Sequence, residues 1–237
     1  MPEWIFVGLI ATGAGLSVPV GAALASAERI RPDWLEEEFR HSVIAFGGGA
    51  LLSAVALVLV PEGMKGLPLL ASVLCFAFGG LCFFGLDWLL ARRASSASQL
   101  AAMLADFLPE AMALGAVFAG GSSTAVLLAV LIALQNLPES FNAYREIRAT
   151  TRASSRRILV TFSIIALLGP AAALSGFFFL VEMQAVVSAV MLVASGGILY
   201  LVFQDIAPQA RLERHWAPSL GAVAGFLMGM IGHGLTG

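Results

Sequence analysis

The chain has 237 residues, of which 59% are hydrophobic and only 12% are charged, and its mean hydropathy is +0.91. This composition excludes a water-soluble globular domain of the same size, because such a domain carries about 25% charged residues. The net charge of −2 says little about partners, and we expect no nucleic-acid partner, because membrane topology accounts for the five arginines between residues 145 and 157.

Eight apolar runs follow one another along the chain, each long enough to cross a hydrocarbon core of about 30 Å. The predicted spans are 4–25, 42–61, 67–90, 100–119, 124–144, 158–180, 183–203 and 217–235. The short connections leave no room for a separate soluble domain. The sequence therefore predicts an all-α polytopic membrane protein with a single transmembrane domain over residues 1–237.

Basic residues concentrate in alternate connections between these spans. The odd-numbered connections hold twelve arginines, whereas the even-numbered ones hold only Lys65. The twelve are Arg29, Arg31, Arg40, Arg92, Arg93, Arg145, Arg148, Arg152, Arg156, Arg157, Arg211 and Arg214. By the positive-inside rule, the arginine-rich loops are cytoplasmic and both termini lie outside. The short loops favour a prokaryotic inner membrane.

Several polar residues away from the middle of the chain are interpreted as structural. Glu62 and Asp205 fall at span ends, where the interface hydrates a carboxylate, and we interpret them as interfacial caps. Asp87 is interpreted as an interfacial anchor for the same reason. Cys75 and Cys82 lie in apolar surroundings on the third span, which predicts buried thiols instead of a disulfide or a metal pair.

Spans four and five carry a shared polar pattern in their interior. DFLPE at 106–110 and QNLPE at 135–139 each place a polar residue four positions before a glutamate that follows a proline. Residues i and i+4 share one helix face, so Asp106 points with Glu110, and Gln135 points with Glu139. If the two faces meet across the connection GGSST, oxygen atoms converge inside the membrane. Asn142, seven positions after Gln135, continues that face.

The prolines of this pattern add to its chemistry. Pro109 and Pro138 cannot donate a backbone hydrogen bond, so the carbonyls of Ala105 and Leu134 lose their usual partners and the helices are predicted to kink. No lysine or arginine lies in the inner part of either span. Three carboxylates at low dielectric do not all stay ionised without positive charge, so their partners are protons or a bound cation. The alternative is that protonated acids simply join helix to helix by hydrogen bonds.

Five segments give the chain a resemblance to a known family. They are DFLPEAMALG at 106–115, QNLPESFNA at 135–143, GGGALLSAVALVLVPEG at 47–63, LLGPAAALSG at 167–176 and SGGILYLVFQDIAPQA at 195–210. In these segments the chain resembles the ZIP (Zrt/Irt-like) family of divalent metal transporters. The resemblance implies eight transmembrane helices in a 3+2+3 arrangement, with inverted repeats (helices 1–3 and 6–8) around a helix 4–5 hairpin. The echo between GGGALL with VPE and SGGILY with APQ supports such a repeat.

The resemblance also implies a metal site on helices four and five. Its ligands would be Asp106, Glu110, Gln135 and Glu139, with Asn136 and Asn142 as further candidates. Asp106 stands where the family usually has histidine, so every remaining donor is an oxygen. Such donors suit Mn, Mg, Ca or Fe(II) at least as well as Zn, which usually takes nitrogen or sulfur ligands.

The family's second metal position is altered in this chain. Phe107 stands where asparagine is usual, Asn136 where an acid is usual, and Gly169 where the sixth helix supplies a glutamate. Since an aromatic ring and a glycine offer no ligand, we expect at most one transport-site metal.

The resulting functional prediction is a divalent cation transporter that works by alternating access, with Zn, Fe(II), Mn or Cd as the transported ion and no prosthetic group. The alternative is a ZIP-fold membrane protein that has lost metal transport and acts as a sensor or an interaction partner. We expect no enzymatic activity. The lipid bilayer is an expected partner, and the small residues of helices two, three and eight pack either a homodimer or the bundle itself.

Overall fold

The computed structural model describes residues 1–27, 33–92, 98–121, 124–211 and 216–236, and every regular element within these ranges is helical. Four helices are continuous α-helices over their whole length: α1 (Glu3–Ala27), α3 (Leu69–Arg92), α4 (Ser98–Ala119) and α5 (Thr124–Thr150). Helix α8 (Ala217–Thr236) is also regular. The predicted all-helical class is confirmed for the described residues.

The other three helices contain π-helical turns. Helix α2 runs through Asp33–Ala54, the π turn Val55–Leu59 and Val60–Lys65. Helix α6 consists of Ser155–Ala166, Leu168–Ser175 and the π turn Gly176–Leu180. Helix α7 runs through Gln184–Leu201, the π turn Val202–Ile206 and Ala207–Ala210.

Seven described helices are long and apolar enough to cross a membrane, judged by length and composition. Helix α4, which carries Asp106 and Glu110, is not among the seven. Most helix ends agree with the predicted spans to within a few residues, although α2 begins at Asp33 instead of residue 42. The helices fit an integral membrane protein, while the count of eight spans stays a prediction.

The π turns of α2 and α7 have the same cause, because each comes directly before a proline-containing segment. Pro61 and Pro208 are each the second residue after a π turn. A proline ring clashes with the carbonyl four residues earlier and offers no N–H to it. A wider π turn changes the position of that carbonyl and moves the hydrogen bonding to i−5. Accordingly, the N–H of Val60 donates to Val55 O and that of Ala207 donates to Val202 O.

The helices associate in two groups. Helices α1, α4, α5 and α6 pack with one another, while in the second group α8 packs on α2, α2 on α7, and α7 on α3. The groups meet where α5 contacts α2 and α4 contacts α7. This packing cuts across the predicted division into helices one to three and six to eight, and the 3+2+3 arrangement stays a prediction.

Glycines at the helix contacts allow the close packing of the second group. A Cβ atom built on Gly49 of α2 would lie 2.0 Å from the carbonyl oxygen of Ala222 on α8. A Cβ atom on Gly79 of α3 would lie 2.0 Å from the carbonyl oxygen of Val193 on α7. Backbones this close require residues without side chains, as is common between membrane helices. At these positions the small residues pack the chain on itself, and a homodimer stays a prediction.

Helix α5 lies in the interior of the protein, whereas α3 and α8 lie at its perimeter. In the apolar 18-residue stretch of each helix, 61% is buried in α5, against 17% in α3 and 17% in α8. The candidate residues of α5 are therefore held inside the bundle, away from the surface that would face lipid.

Other predictions fare differently. Cys75 and Cys82 are free thiols, but Cys82 is exposed on α3, so its predicted burial is wrong; α3 turns that face outward. The carboxylate of Glu62 forms an ion pair with Lys65 and accepts a hydrogen bond from its Nζ at 2.7 Å, as suits a helix end. Some predicted features lie outside the described residues, namely Arg29, Arg31, Arg93, Arg214, Ser122 and Ser123.

Candidate metal site

The two proline-glutamate segments lie on helices that pack directly against each other, α4 and α5. Gly121, the second residue of their connection, has a φ of 75°, a left-handed conformation that glycine adopts without strain. Pro109 and Pro138 are inside the two helices, which stay α-helical on both sides of them. The predicted kinks stay a prediction.

Glu110 and Gln135 come together at the centre of this helix pair. Gln135 Nε2 donates a hydrogen bond to Glu110 Oε2, and both side chains are fully buried. The two residues are 25 positions apart in sequence, so the bond joins α4 to α5. The face of α4 with Asp106 and Glu110 thus meets the face of α5 with Gln135 and Glu139, and the contact is made by Glu110 and Gln135.

Asp106 and Glu139 lie near this bonded pair. Asp106 is only 1% exposed, and Glu139 is half-buried. The charge of Asp106 interacts with those of Glu139 and Glu110, and that of Glu139 with that of Glu110. Among the described residues, no cationic side chain lies close enough to Asp106 or Glu139 to offset their charge appreciably. The three carboxylates therefore crowd a space of low dielectric without a positive partner among the residues that the structure describes.

Several buried polar atoms of the same region have no hydrogen-bond partner within the described chain. They are Asp106 Oδ1, Glu110 Oε1, Gln135 Oε1, Glu139 Oε2 and both side-chain polar atoms of Asn136. A buried unsatisfied polar group costs about 1–3 kcal/mol, and native proteins keep few of them. Their concentration on one helix pair indicates a place where water, protons or a cation is expected to bind.

A cavity opens onto part of this cluster. Its polar lining comes from Asp106 on α4, Glu139 and Asn142 on α5, and Asp205 and Gln209 on α7. Apolar side chains of α2, α4 and α7 form the remainder. The cavity encloses about 460 Å³ of empty space, open solvent at its mouth included. The centres of water-sized spheres can occupy about 50 Å³ of it, which is room for a few water molecules at about 10–15 Å³ each by this measure.

The contribution of α7 was missed by the sequence interpretation, which treated Asp205 as an interfacial cap. In the structure Asp205 also lines the cavity, together with Asp106 and Glu139, and a position at a span end does not exclude this. A signal was present in the sequence: DIAPQ at 205–209 has the spacing of DFLPE, with a polar residue four positions before another that follows a proline.

Two further acidic residues, on α3 and α5, lie near Asp205 but outside the cavity lining. Asp205 interacts electrostatically with Asp87 on α3 and with Glu146 on α5. Asp87 is fixed by a tertiary hydrogen bond, because the hydroxyl of Tyr200 donates to its Oδ2 at 3.0 Å. Asp87 thus contacts α7 and is more than an interfacial anchor.

Phe107 and Gly169, two departures from the ZIP-like pattern, contact each other. Phe107 is 1% exposed, and a Cβ atom built on Gly169 would lie 2.6 Å from its Cζ. The aromatic ring therefore occupies the space that a side chain at position 169 would need. A large residue on α4 and a missing side chain on α6 compensate for one another in volume, and the resulting contact is apolar.

The candidate ligands are gathered but not arranged as a finished ligand shell. Among the described residues, no group of three or more histidine, cysteine, aspartate or glutamate side chains is arranged to hold a metal ion. Gln135 directs an N–H, not an oxygen, at Glu110. No protein-family model matches the chain, and no curated protein matches it. The ligand assignment stays a prediction that rests on residue chemistry and burial.

Proposed function

We propose that the protein is a divalent metal cation transporter of the ZIP type, which moves the ion through a single site formed by Asp106, Glu110, Gln135 and Glu139. The observation that carries this proposal is the set of unpaired, buried oxygen atoms on α4 and α5 beside a cavity. Ionisable residues inside membrane helices typically mark ion pathways, because burying them is costly.

Helix-joining hydrogen bonds account for the cluster less well. Among the described residues, only the bond from Gln135 to Glu110 joins the side chains of the six candidates. If the polar residues served only to hold the helices together, their hydrogen-bonding atoms would be paired with one another. Most of the capacity of these side chains is instead left for a ligand.

The side-chain amide of Gln135 can act as a hydrogen-bond donor in the empty site and as an oxygen ligand in the loaded site. Its N–H now donates to Glu110, while its Oε1 is buried without a partner. A half-turn of the amide group exchanges the positions of nitrogen and oxygen. The side chain would thus stabilise the Glu110 carboxylate in the empty site and offer an oxygen ligand in the loaded site.

The donor set favours a single, hard or borderline cation. Carboxylate and amide oxygens suit Mn and Fe(II), while Zn and Cd lack the nitrogen and sulfur donors they usually take. Asn136 adds an amide, and Phe107 fills the neighbouring space against Gly169. We therefore expect one ion in the site, with Mn or Fe(II) preferred.

Alternating access would involve the two helix groups. The inverted repeat is supported by the π turns of α2 and α7, which stand at equivalent places before Pro61 and Pro208. It is also supported by the packing, because α2 pairs with α8 as α7 pairs with α3, and α1 pairs with α5 as α6 pairs with α4. Repeats of this kind allow one group to move against the other around a central site.

Metal uptake into proteoliposomes that hold the full chain tests the proposal. We expect saturable uptake of Mn or Fe(II) ahead of Zn and Cd. Glu110→Gln and Glu139→Gln should each reduce it by more than about 100-fold, since loss of supporting groups near metal ligands already costs 10–100-fold. Glu62→Gln is the matched control, because this glutamate pairs with Lys65 away from the cavity.

The alternative function predicts a different result. A chain that has lost transport would show no uptake of any of the four metals although it is folded and correctly inserted, and it would not rescue an uptake-deficient host. The observation that favours this alternative is the contact of Phe107 with Gly169, which removes one metal position. Residual binding of Mn by such a protein, detected by calorimetry, would then indicate a sensor.

Proton linkage follows from the crowding of Asp106, Glu110 and Glu139. When a divalent cation leaves, the carboxylates lose the positive charge that compensates them, so we expect protons to replace it. Uptake should therefore vary with pH across the range in which the carboxylates titrate. Uptake that stays constant over that range would exclude the linkage.

A further inference from the structure

A second cavity lies at the end of the bundle where α4 begins, α5 ends and α6 begins. Its wall and floor are apolar, with Leu100 from α4, Ile147 from α5, and Ile158 and Phe162 from α6. Ile158 and Phe162 are buried, so the floor is part of the folded core. This cavity shares no residue with the one that contains Asp106 and Glu139.

Two arginines give the rim of this cavity a positive charge. Arg152 follows α5 and Arg157 belongs to the first turns of α6, and both are exposed. Within the described part of the chain, neither guanidinium has a hydrogen bond or an ion pair. Thr151 and Thr161 add hydroxyl groups to the lining. The cavity thus combines an apolar interior with cationic donors at its mouth that no described residue neutralises.

The turn that carries the arginines is held in place by local hydrogen bonds. Arg148 Nη1 donates to the carbonyl of Ala153 at 2.8 Å, and the N–H of Ala153 donates to Thr151 Oγ1 at 3.2 Å. Ser154 caps α6 by accepting from the N–H of Arg157. The helix N-terminus adds a partial positive charge in the same place. A preorganised site of this kind loses little entropy when an anion binds.

We propose that this cavity binds one anionic phospholipid, with the phosphate between Arg152 and Arg157 and the start of the acyl chains against Leu100 and Ile147, which stay partly exposed. A lipid fits better than a free anion because half of the lining is apolar and the cavity lies at the end of membrane-crossing helices. Basic pockets between transmembrane helices are known to suit anionic headgroups. The bound lipid would join α4, α5 and α6 at one membrane surface.

The test uses the purified full chain in detergent, titrated with dioleoyl phosphatidylglycerol and observed by native mass spectrometry. We expect one lipid to be retained per chain, and phosphatidylcholine to bind far less. Each arginine near a membrane surface contributes about fivefold, so Arg152→Gln with Arg157→Gln should weaken retention about 30-fold, or about 2 kcal/mol. Arg156→Gln with Arg211→Gln is the matched control, which removes equal charge from residues outside the cavity.

Three outcomes would overturn the proposal. Equal retention of phosphatidylcholine would show that the phosphate charge is not recognised. An equal loss in the control variant would show that charge acts without a specific site. Displacement of the lipid by 10 mM inorganic phosphate would identify a soluble anion as the ligand. A second measurement guards against misfolding: the lipid should raise the Tm of the native chain and of the control variant, but not that of the Arg152/Arg157 variant.

Discussion

The contact between Phe107 and Gly169 supports a quantitative prediction. In Gly169→Ala, the new Cβ would lie 2.6 Å from Phe107 Cζ, whereas carbon atoms in contact are normally about 3.5–4.0 Å apart. The ring or α6 must therefore move by roughly 1 Å. Phe107 is only 1% exposed, so its ring is enclosed by the core, and overpacking should destabilise the protein by about 1–3 kcal/mol.

The control for this substitution is Gly13→Ala, because nothing lies within 4 Å of a Cβ built at Gly13. Thermal unfolding in detergent, followed by tryptophan fluorescence, compares the two variants. A chain of this size loses about 2–4 °C in Tm per kcal/mol, so Gly169→Ala should melt roughly 2–12 °C below Gly13→Ala. In a Phe107→Leu background the difference should shrink, since the clashing ring is absent. Equal melting of Gly169→Ala and Gly13→Ala would refute the contact.

Further predictions concern the candidate site and its support. Gln135→Leu removes the N–H that Glu110 accepts, so it should lower stability by about 1–3 kcal/mol in thermal unfolding and reduce metal uptake; unchanged stability would contradict the hydrogen bond. Asp205→Asn should slow uptake in proteoliposomes and leave the Tm unaltered, because the residue lines the cavity without being fully buried. Uptake at the wild-type rate would show that Asp205 of α7 takes no part in ion transport. Gly21→Ala should destabilise the protein at least as much as Gly169→Ala, because its Cβ would lie 2.2 Å from the carbonyl oxygen of Leu137 and push α1 away from α5. A Tm equal to that of the native chain would show that α1 and α5 are less tightly packed.

The local part of the site could be predicted from sequence because it depends on helix periodicity. The i, i+4 spacing of Asp106 with Glu110 and of Gln135 with Glu139 fixes which side chains share a face, whatever the helices pack against. A short connection then makes α4 and α5 neighbours. These two facts are sufficient to bring Glu110 and Gln135 together, and the observed bond between them follows.

The contributions that depend on distant packing could not be predicted in the same way. Asp205 approaches the cavity because α7 lies against α4 and because the π turn Val202–Ile206 alters the face on which it stands. A constant helical period does not describe a π turn. The pairing of Phe107 with Gly169 is likewise a complementarity of volumes between α4 and α6, and each residue by itself indicates only the loss of a ligand.

Four prolines inside helices are followed by glutamate or glutamine, namely Pro61, Pro109, Pro138 and Pro208, and they show that one local pattern serves two purposes. In α2 and α7, π turns before Pro61 and Pro208 reposition the backbone, with i−5 hydrogen bonds closing at Val60 and Ala207. In α4 and α5 no π turn precedes Pro109 or Pro138, and the helix continues in its α form.

The carbonyls four residues before Pro109 and Pro138, those of Ala105 and Leu134, consequently receive no N–H from the proline. Each lies next in sequence to a candidate ligand, Asp106 or Gln135. A carbonyl without its helical partner inside a membrane protein needs another positive or donating group. The helix pair that carries the unpaired side chains thus also has backbone acceptor capacity left over beside them, and both features favour the proposed cation site between α4 and α5.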